Sequence, residues 1–255
     1  MAAPHLNSGE VILIPKTSAS PAHLESIAER YKNIRLHGLK VDPESFSSTY
    51  EYESQFSPDI WLSRIQNPLG KTFVAVLDSD TESHGQRNNP HPLETESAHD
   101  AVQRLLGKNW VGIATLIGPV PLSSEDAGVA GLKPWDAFIK DGTYQIPSSL
   151  VEPDDLKGAH IIYVIVGMFV LPHGRRKGHA RRLLEAIIKA AEEEAKVFSA
   201  SKTSITVQTE AGIVGAQQLY ERVGFEVWDD AVLIENQGGE SSHAVSLVME
   251  MDTKI

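Results

Sequence analysis

The chain has 255 residues, with 23 Lys and Arg against 34 Asp and Glu, a net charge of −11 and no cysteine. Its 41% apolar and 22% charged residues are ordinary globular usage, which excludes disordered, collagenous and coiled-coil classes. The missing cysteines exclude a disulfide scaffold, a thiolate metal site and a cysteine nucleophile, and the acidic balance argues against a nucleic-acid partner unless basic residues cluster locally.

No basic segment followed by an apolar stretch opens the chain, so no secretory leader is expected. The longest apolar run, Ile161 to Leu171, has 11 residues and is too short to span a bilayer. The expected address is the cytoplasm, with the nucleus left open. Val11 to Ile14 predicts a first strand. Ser20-Pro21 looks like a helix start, and Leu24, Ile27, Ala28 and Tyr31 carry that helix to about Leu36. Ser57-Pro58 opens a short helix through Trp61, Leu62 and Ile65. Lys71 to Leu77 and Trp110 to Ile117 read as neighbouring strands.

Between those strands, the stretch 78–100 has Leu93 and Ala98 as its only aliphatic residues and is expected to be a mobile hairpin insertion. A second insertion, 118–158, carries Trp135, Phe138, Ile139 and Tyr144. It is expected to be partly ordered, either a loop pinned to the core or a wall over a site. Ile161 to Leu171 then predicts a fully buried strand, since it shows no polar alternation. A loop over Pro172 to Lys177 leads into a helix whose apolar face is Ala180, Leu183, Leu184, Ile187, Ile188, Ala191 and Ala195. Thr203 to Thr209 is a strand, Ile213 to Arg222 a helix stopped by Gly224, and Val227-Trp228 and Ala244 to Met251 supply the last strands. With no repeat and no second core visible, one domain over 1–255 with two insertions is the simplest organisation.

Five of the 23 basic residues lie in the eight positions Arg175 to Arg182, which contain no acid. The rest of the chain has 18 basic against 34 acidic side chains. Those cations stand at a helix N-terminus, where the macrodipole is already positive, and Glu192 to Glu194 near the other end have the wrong sign too. A polyanion over the first helical turn resolves the conflict, because unpaired N–H groups there bind phosphate oxygens and Gly178 lets the backbone approach closely. A solvated basic helix end is the plainer alternative. The Walker loop and the dinucleotide fingerprint are both absent.

Val170-x-Pro172-x-x-Arg175-Arg176-Lys177-Gly178-His179-Ala180-x-x-Leu183-Leu184 resembles the acyl-CoA-binding motif of the GNAT superfamily of N-acetyltransferases. Ala216-x-x-Leu219-Tyr220-Glu221-x-x-Gly224-Phe225 is similar to that family's later motif, with weaker echoes at Arg35-Leu36 to Phe46 and at Trp61 to Arg64. The resemblance covers residues 10–75 loosely and 160–250 well. It implies a mixed α/β fold, a twisted, mostly antiparallel sheet flanked by helices, whose fourth and fifth strands splay apart around the pantetheine arm of acetyl-CoA. Backbone groups at Phe169 and Val170 would contact the pantetheine and thioester, and the amides of Arg175, Arg176, Lys177, Gly178, His179 and Ala180 would hold the pyrophosphate.

The same resemblance assigns Tyr220 as the acid that meets the departing thiolate; packing in the core is the plainer role. Ile213 stands where the family commonly has Asn, and the central strand lacks the family's frequent Glu. Glu210 is then a candidate base, or else a solvated strand-end carboxylate. His160 and Tyr163 are expected to be structural and Met168 a core gap-filler. No metal-ligand spacing is visible among the ten histidines, so no metal is expected.

Seven acids in 118–158 (Glu125, Asp126, Asp136, Asp141, Glu152, Asp154, Asp155), with Asp42, Glu44, Glu51 and Glu53, suggest an acidic rim at the acceptor pocket. The expected function is acetyl transfer from acetyl-CoA directly to a primary amine of a cationic small molecule. A non-catalytic acyl-CoA-binding module and a protein or peptide N-acetyltransferase are the alternatives. A monomer or homodimer is expected, with no membrane partner.

Overall fold

The structure is a computed structural model that describes residues 9–77, 97–122, 138–140, 143–144, 151–235 and 241–253. Strand β1 (Glu10–Leu13) is followed by helix α1 (Pro21–Val41), the single turn α2 (Tyr50–Glu53), α3 (Pro58–Gln66) and β2 (Gly70–Leu77). Then come α4 (Ala98–Gly107), β3 (Asn109–Pro121), the short pair β4 (Ile139–Lys140) and β5 (Thr143–Tyr144), α5 (Pro153–Leu156) and β6 (His160–Val170). Helix α6 (His179–Val197), β7 (Lys202–Glu210), α7 (Val214–Arg222), β8 (Glu226–Glu235) and β9 (Ser241–Asp252) complete the order.

Seven strands form one sheet in the order β1-β2-β3-β6-β7-β9-β8. Every neighbouring pair is antiparallel except β6–β7, which is parallel and bridged by α6. Two apolar layers cover the sheet. Ile27, Tyr31 and Ile34 of α1, Trp61 and Ile65 of α3 and Val102 and Leu105 of α4 pack on one face. Leu183, Leu184, Ile187 and Ala191 of α6 pack on the other. Each of these side chains is fully or nearly fully buried, worth about 1.5–3 kcal/mol for a large aliphatic one.

Four sequence expectations need correction. Helix α1 continues five residues past Leu36, because Arg35, Gly38 and Leu39 keep its inner face buried; a Cβ at Gly38 would stand 3.1 Å from the Phe169 ring. Pro43 then stops it. Residues 98–100 belong not to a hairpin insertion but to α4, capped by the Ser97 hydroxyl, which accepts from the Asp100 N–H. The rest of that insertion, 78–96, lies outside the described residues. Strand β6 is buried on both faces only as far as Ile165; Val166, Gly167 and Met168 are half-buried. Strand β8 runs on to Glu235, well past Val227-Trp228.

Of the second insertion, 118–121 extends β3 and Phe138 is buried against Leu69, Ile117, Ile162 and Val164. Trp135 and the acids Glu125, Asp126, Asp136 and Asp141 lie outside the described residues.

Candidate functional site

Parallel pairing of β6 with β7 runs from His160–Lys202 to Val164–Thr206 and goes no further, although β6 continues to Val170 and β7 to Glu210. On its other edge β6 pairs Val166 with Thr115 and Phe169 with Ile113, so Gly167 and Met168 together oppose one residue of β3. That is a β-bulge, and Gly167 takes it with φ +62, a conformation that disfavours any side chain. The two strands therefore diverge at a place where β6 is also bent. A cleft of ≈ 1800 Å³ opens there, lined by Gly167, Met168, Phe169, Gly178, Glu210 and Tyr220 among others. It exceeds the usual 300–1,000 Å³ of a small-ligand pocket.

At one end of the cleft the chain turns from β6 into α6. Gly178 is the N-cap residue, with φ 81 and ψ 4, and no side chain caps the helix there. A Cβ at this glycine would meet only Arg182 Nη1, at 3.5 Å, so it is the left-handed backbone rather than crowding that calls for glycine. Arg176 is left-handed as well, with φ 63. An uncapped helix start preceded by such a turn presents N–H groups with no internal acceptor.

The five cations of this turn are used unequally. Arg175 donates from Nε to the Val170 carbonyl at 3.0 Å, pairs through Nη2 with Asp42 at the end of α1, and lies over the Phe169 ring. Arg182 folds back, donating to the Lys177 carbonyl at 3.2 Å and meeting His179 Nδ1 at 3.0 Å. Arg181 pairs with Glu185 one turn on. Arg176 and Lys177 are exposed.

His179 is 1% exposed, and a Cβ on Gly9 would come within 2.5 Å of its ring. Its side chain is thus a packing element. Burial, reinforced by Arg182, Lys177 and His173, lowers its pKa and keeps the imidazole neutral. Ala180 is half-buried on the cleft wall. The side chain of Phe169 points the other way, into α1 beside Gly38, which leaves its backbone on the cleft side.

Tyr220 on α7 is 6% exposed, and its hydroxyl donates to Met168 Sδ at 3.3 Å across the cleft. Burial raises the phenol above its ordinary pKa, so it holds its proton. Met168 is half-buried, packs against the core as expected, and also lines the cleft wall and accepts from this phenol. Glu210 lies half-buried at the end of β7, on the same cleft, and Ile213 caps α7 beside it.

His160 and Tyr163 do not line the cleft. His160 Nε2 meets Ser204 Oγ at 2.7 Å, its pKa lowered by burial and by Lys202 against the opposing pull of Glu250. The Tyr163 hydroxyl donates to Glu194 at 2.7 Å, and Lys71 pairs with the same carboxylate at 2.7 Å. Those partners explain why an acid stands near the C-terminal end of α6.

The other end of the cleft holds a group that the sequence did not announce. Arg35 on α1 donates from Nε and Nη2 to the two oxygens of Glu53, at 3.1 and 2.7 Å, and Arg64 on α3 donates to Glu53 Oε2 at 2.7 Å. Glu53 is 1% exposed. Burial by itself would raise its carboxyl, but hydrogen bonds and charges from both arginines outweigh that and hold it at about 2. Two acids of the expected rim, Glu53 and Asp42, are thereby neutralised by arginines. Glu44 and Glu51 remain exposed. Among the described residues no group of three or more His, Asp or Glu side chains is placed to hold a metal ion, and no helix is long and apolar enough to cross a membrane.

Residues 146–227 match the family model of the acetyltransferase (GNAT) domain. No curated protein sequence matches the chain. Among solved structures, NAA60 of Arabidopsis thaliana in complex with acetyl-CoA is similar with a TM-score of 0.51 at 14% identity, covering 95% of this chain and 99% of that one. The same plant protein with a bisubstrate analogue gives 0.50 at 12% identity, over 95% and 100%. A candidate acetyltransferase of Acinetobacter baylyi ADP1 gives 0.52 at 11% identity, over 96% and 94%. At such identities the likeness speaks for the fold, and the match over 146–227 covers the stretch from before β6 into β8, where the strands diverge and the basic turn lies. Residues 146–227 are thus similar to the GNAT acetyltransferase domain, within a fold similar to that of solved acetyltransferases.

Proposed function

We propose that this acetyltransferase takes acetyl-CoA as donor and passes the acetyl group directly to a primary amine, the whole chain acting as one domain. The observation that carries the reading is the gap between β6 and β7, which ends at the uncapped, glycine-started N-terminus of α6. Those residues suit the donor. The N–H groups from Arg176 to Ala180 would hold the pyrophosphate, with Arg176 and Lys177 adding charge, while the bulged backbone from Gly167 to Val170 would lie along the pantetheine. Arg175 contributes its backbone, since its side chain is committed to Asp42 and Val170.

In the reaction the amine nitrogen forms a bond to the thioester carbon, the C–S bond breaks and CoA leaves as a thiolate. Tyr220 meets that sulfur. A phenol pushed above its ordinary pKa is a weaker acid than a thiol, so its part is to hydrogen-bond the thiolate as charge develops rather than to surrender its proton at once. Its present acceptor is also a sulfur, that of Met168. Glu210, half-buried on the same cleft, would take the proton shed by the amine, directly or through water. With no cysteine in the chain, no thiol can carry the acetyl group between donor and acceptor. Among the described acids of the expected rim, Glu44, Glu51, Glu152, Asp154 and Asp155 remain exposed, and Glu44 lines the cleft, which supports the expected cationic acceptor.

Thermal unfolding with saturating acetyl-CoA tests donor binding, and a stabilisation of about 2.7 kcal/mol is expected at a hundredfold excess over Kd. Tyr220→Phe should keep that shift and lose about tenfold or more in kcat. A chain that binds acetyl-CoA yet transfers to no amine is a binding module, and the catalytic reading fails.

A further inference from the structure

The arginine pair at the far end of the cleft has one donor too many. Arg35 is nine-tenths buried, and two of its three nitrogens serve Glu53, while Nη1 is buried without a hydrogen-bond partner. A buried, charged donor left unpaired is costly, so an acceptor is expected at that atom. What stands beside it is Gly167: a Cβ built there would be 3.8 Å from Nη1. The unpaired nitrogen therefore abuts the bulge of β6, where the strand has already parted from β7. Phe46 lies 4.5 Å from the guanidinium carbon and fixes its plane.

Arg64, one-third exposed, lines the same cleft beside Phe56 and Trp61. Two guanidinium groups share one carboxylate, so this wall carries a net positive charge beneath the exposed acids of the loop above. A cation would be repelled at this depth, whereas a carboxylate would supply the missing acceptor to Arg35 and a second one to Arg64.

Resting on the acetyl-transfer reading, we propose that Arg35 and Arg64 bind a carboxylate on the acceptor, so that the substrate is an amine bearing a carboxylate nearby, of the free amino-acid class. The amine then points from Gly167 toward the thioester while the carboxylate lies between the arginines. Arg35 and Arg64 are specificity-determining residues on this account, and Glu53 positions both.

Initial rates with acetyl-CoA would be measured for a panel of free amino acids, the corresponding amino-acid amides and spermidine. The expected result is a kcat/KM for the best free amino acid at least about tenfold above its amide, the size of a lost hydrogen bond to a charged group, and higher still above spermidine. Arg64→Gln, which leaves the buried Arg35–Glu53 pair in place, should raise KM for the amino acid about tenfold while moving the amide less than about twofold. Arg35→Lys, which keeps the charge but loses the fork, should do the same with a larger KM effect. If amides or spermidine react as well as the free acids, or if Arg64→Gln lowers both substrates alike, the proposal falls and acetyl transfer stands. If no amine turns over at all, the acetyl-transfer reading falls and takes the proposal with it.

Discussion

The two ends of the cleft are built on opposite plans. At the α6 end the groups proposed to hold the donor are contiguous backbone amides between Arg175 and Ala180, set by one left-handed glycine and by a helix start that no side chain caps. At the α1 end they are side chains from three different helices, Arg35, Glu53 and Arg64, joined by charge-assisted hydrogen bonds of 2.7 to 3.1 Å. Backbone amides tolerate almost any residue over them so long as the turn survives. A buried ionic network tolerates almost none, because each partner removed strands a charge. The donor end should therefore respond to changes of backbone conformation, and the acceptor end to changes of charge.

The largest effect should follow from removing the shared carboxylate. Glu53→Ala leaves two arginines facing each other, one of them nine-tenths buried, and should destabilise by about 3–5 kcal/mol. Denaturant unfolding would measure it. A loss below about 1 kcal/mol would mean that the network adds little and that the contrast between the two ends is false.

The same carboxylate gives the acid limb of stability a defined window. Its folded pKa of about 2 lies below its ordinary value of 4.5, so its contribution is complete above about pH 4.5 and drains away as pH falls toward 2. Stability measured between pH 6 and 2.5 should fall more steeply for the wild type than for Glu53→Gln, whose curve should be lower and flatter across that range. Parallel curves would show that other carboxylates govern acid unfolding.

How legible each end was in the sequence follows from how each is built. The glycine turn and helix start of the proposed donor end were readable because their parts are neighbours in the chain: charge, glycine and helix start fall within Arg175 to Arg182, and the strand before them is an unbroken apolar run. The bulge in that run had a signal, Gly167 in a strand interior, but nothing local distinguishes a bulge from close packing. Helix α4 also had one, in Ser97-x-x-Asp100 before Ala101, Val102 and Leu105, which the polar stretch preceding it obscured. The arginine pair was not readable. Arg35, Glu53 and Arg64 are separated by 18 and 11 positions; the sequence marks Arg35 and Arg64 only as weak motif echoes and Glu53 as a rim acid, and nothing in it joins them until the packing of α1, α2 and α3 brings them together. For the same reason the acids of the loop looked like an open rim, when two of them are spoken for by arginines.

A smaller effect is expected from Gly178→Ala. The residue sits at φ 81, where an L side chain costs about 1–2 kcal/mol, and relaxing that strain would turn the amides away from the donor. Stability and acetyl-CoA affinity should fall together. Gly215→Ala is the matched control: it lies inside α7 with nothing within 4 Å of a new Cβ, so it should be neutral or stabilise by about 0.5–1 kcal/mol. If Gly178→Ala loses stability but binds acetyl-CoA unchanged, the backbone plan for the donor end is wrong.

The smallest effect should come from the contact that links the two ends. Asp42 at the end of α1 holds Arg175 at the start of the basic turn, and both side chains are partly exposed, at 30% and 41%. A pair so placed contributes about 1 kcal/mol or less, so Asp42→Asn should shift the melting temperature by no more than about 2–4 °C. Its effect on the donor is of more interest. Neutralising Asp42 leaves Arg175 as an uncompensated cation beside the proposed pyrophosphate site, and acetyl-CoA should bind slightly tighter at low salt, a gain that disappears as screening shortens the reach of the charge. Isothermal titration at two salt concentrations would read this. Weaker binding at both would show that Asp42 acts by geometry, keeping Arg175 stacked on Phe169 and bonded to the Val170 carbonyl, and that the conformation of the turn depends on α1 as well as on its own glycine.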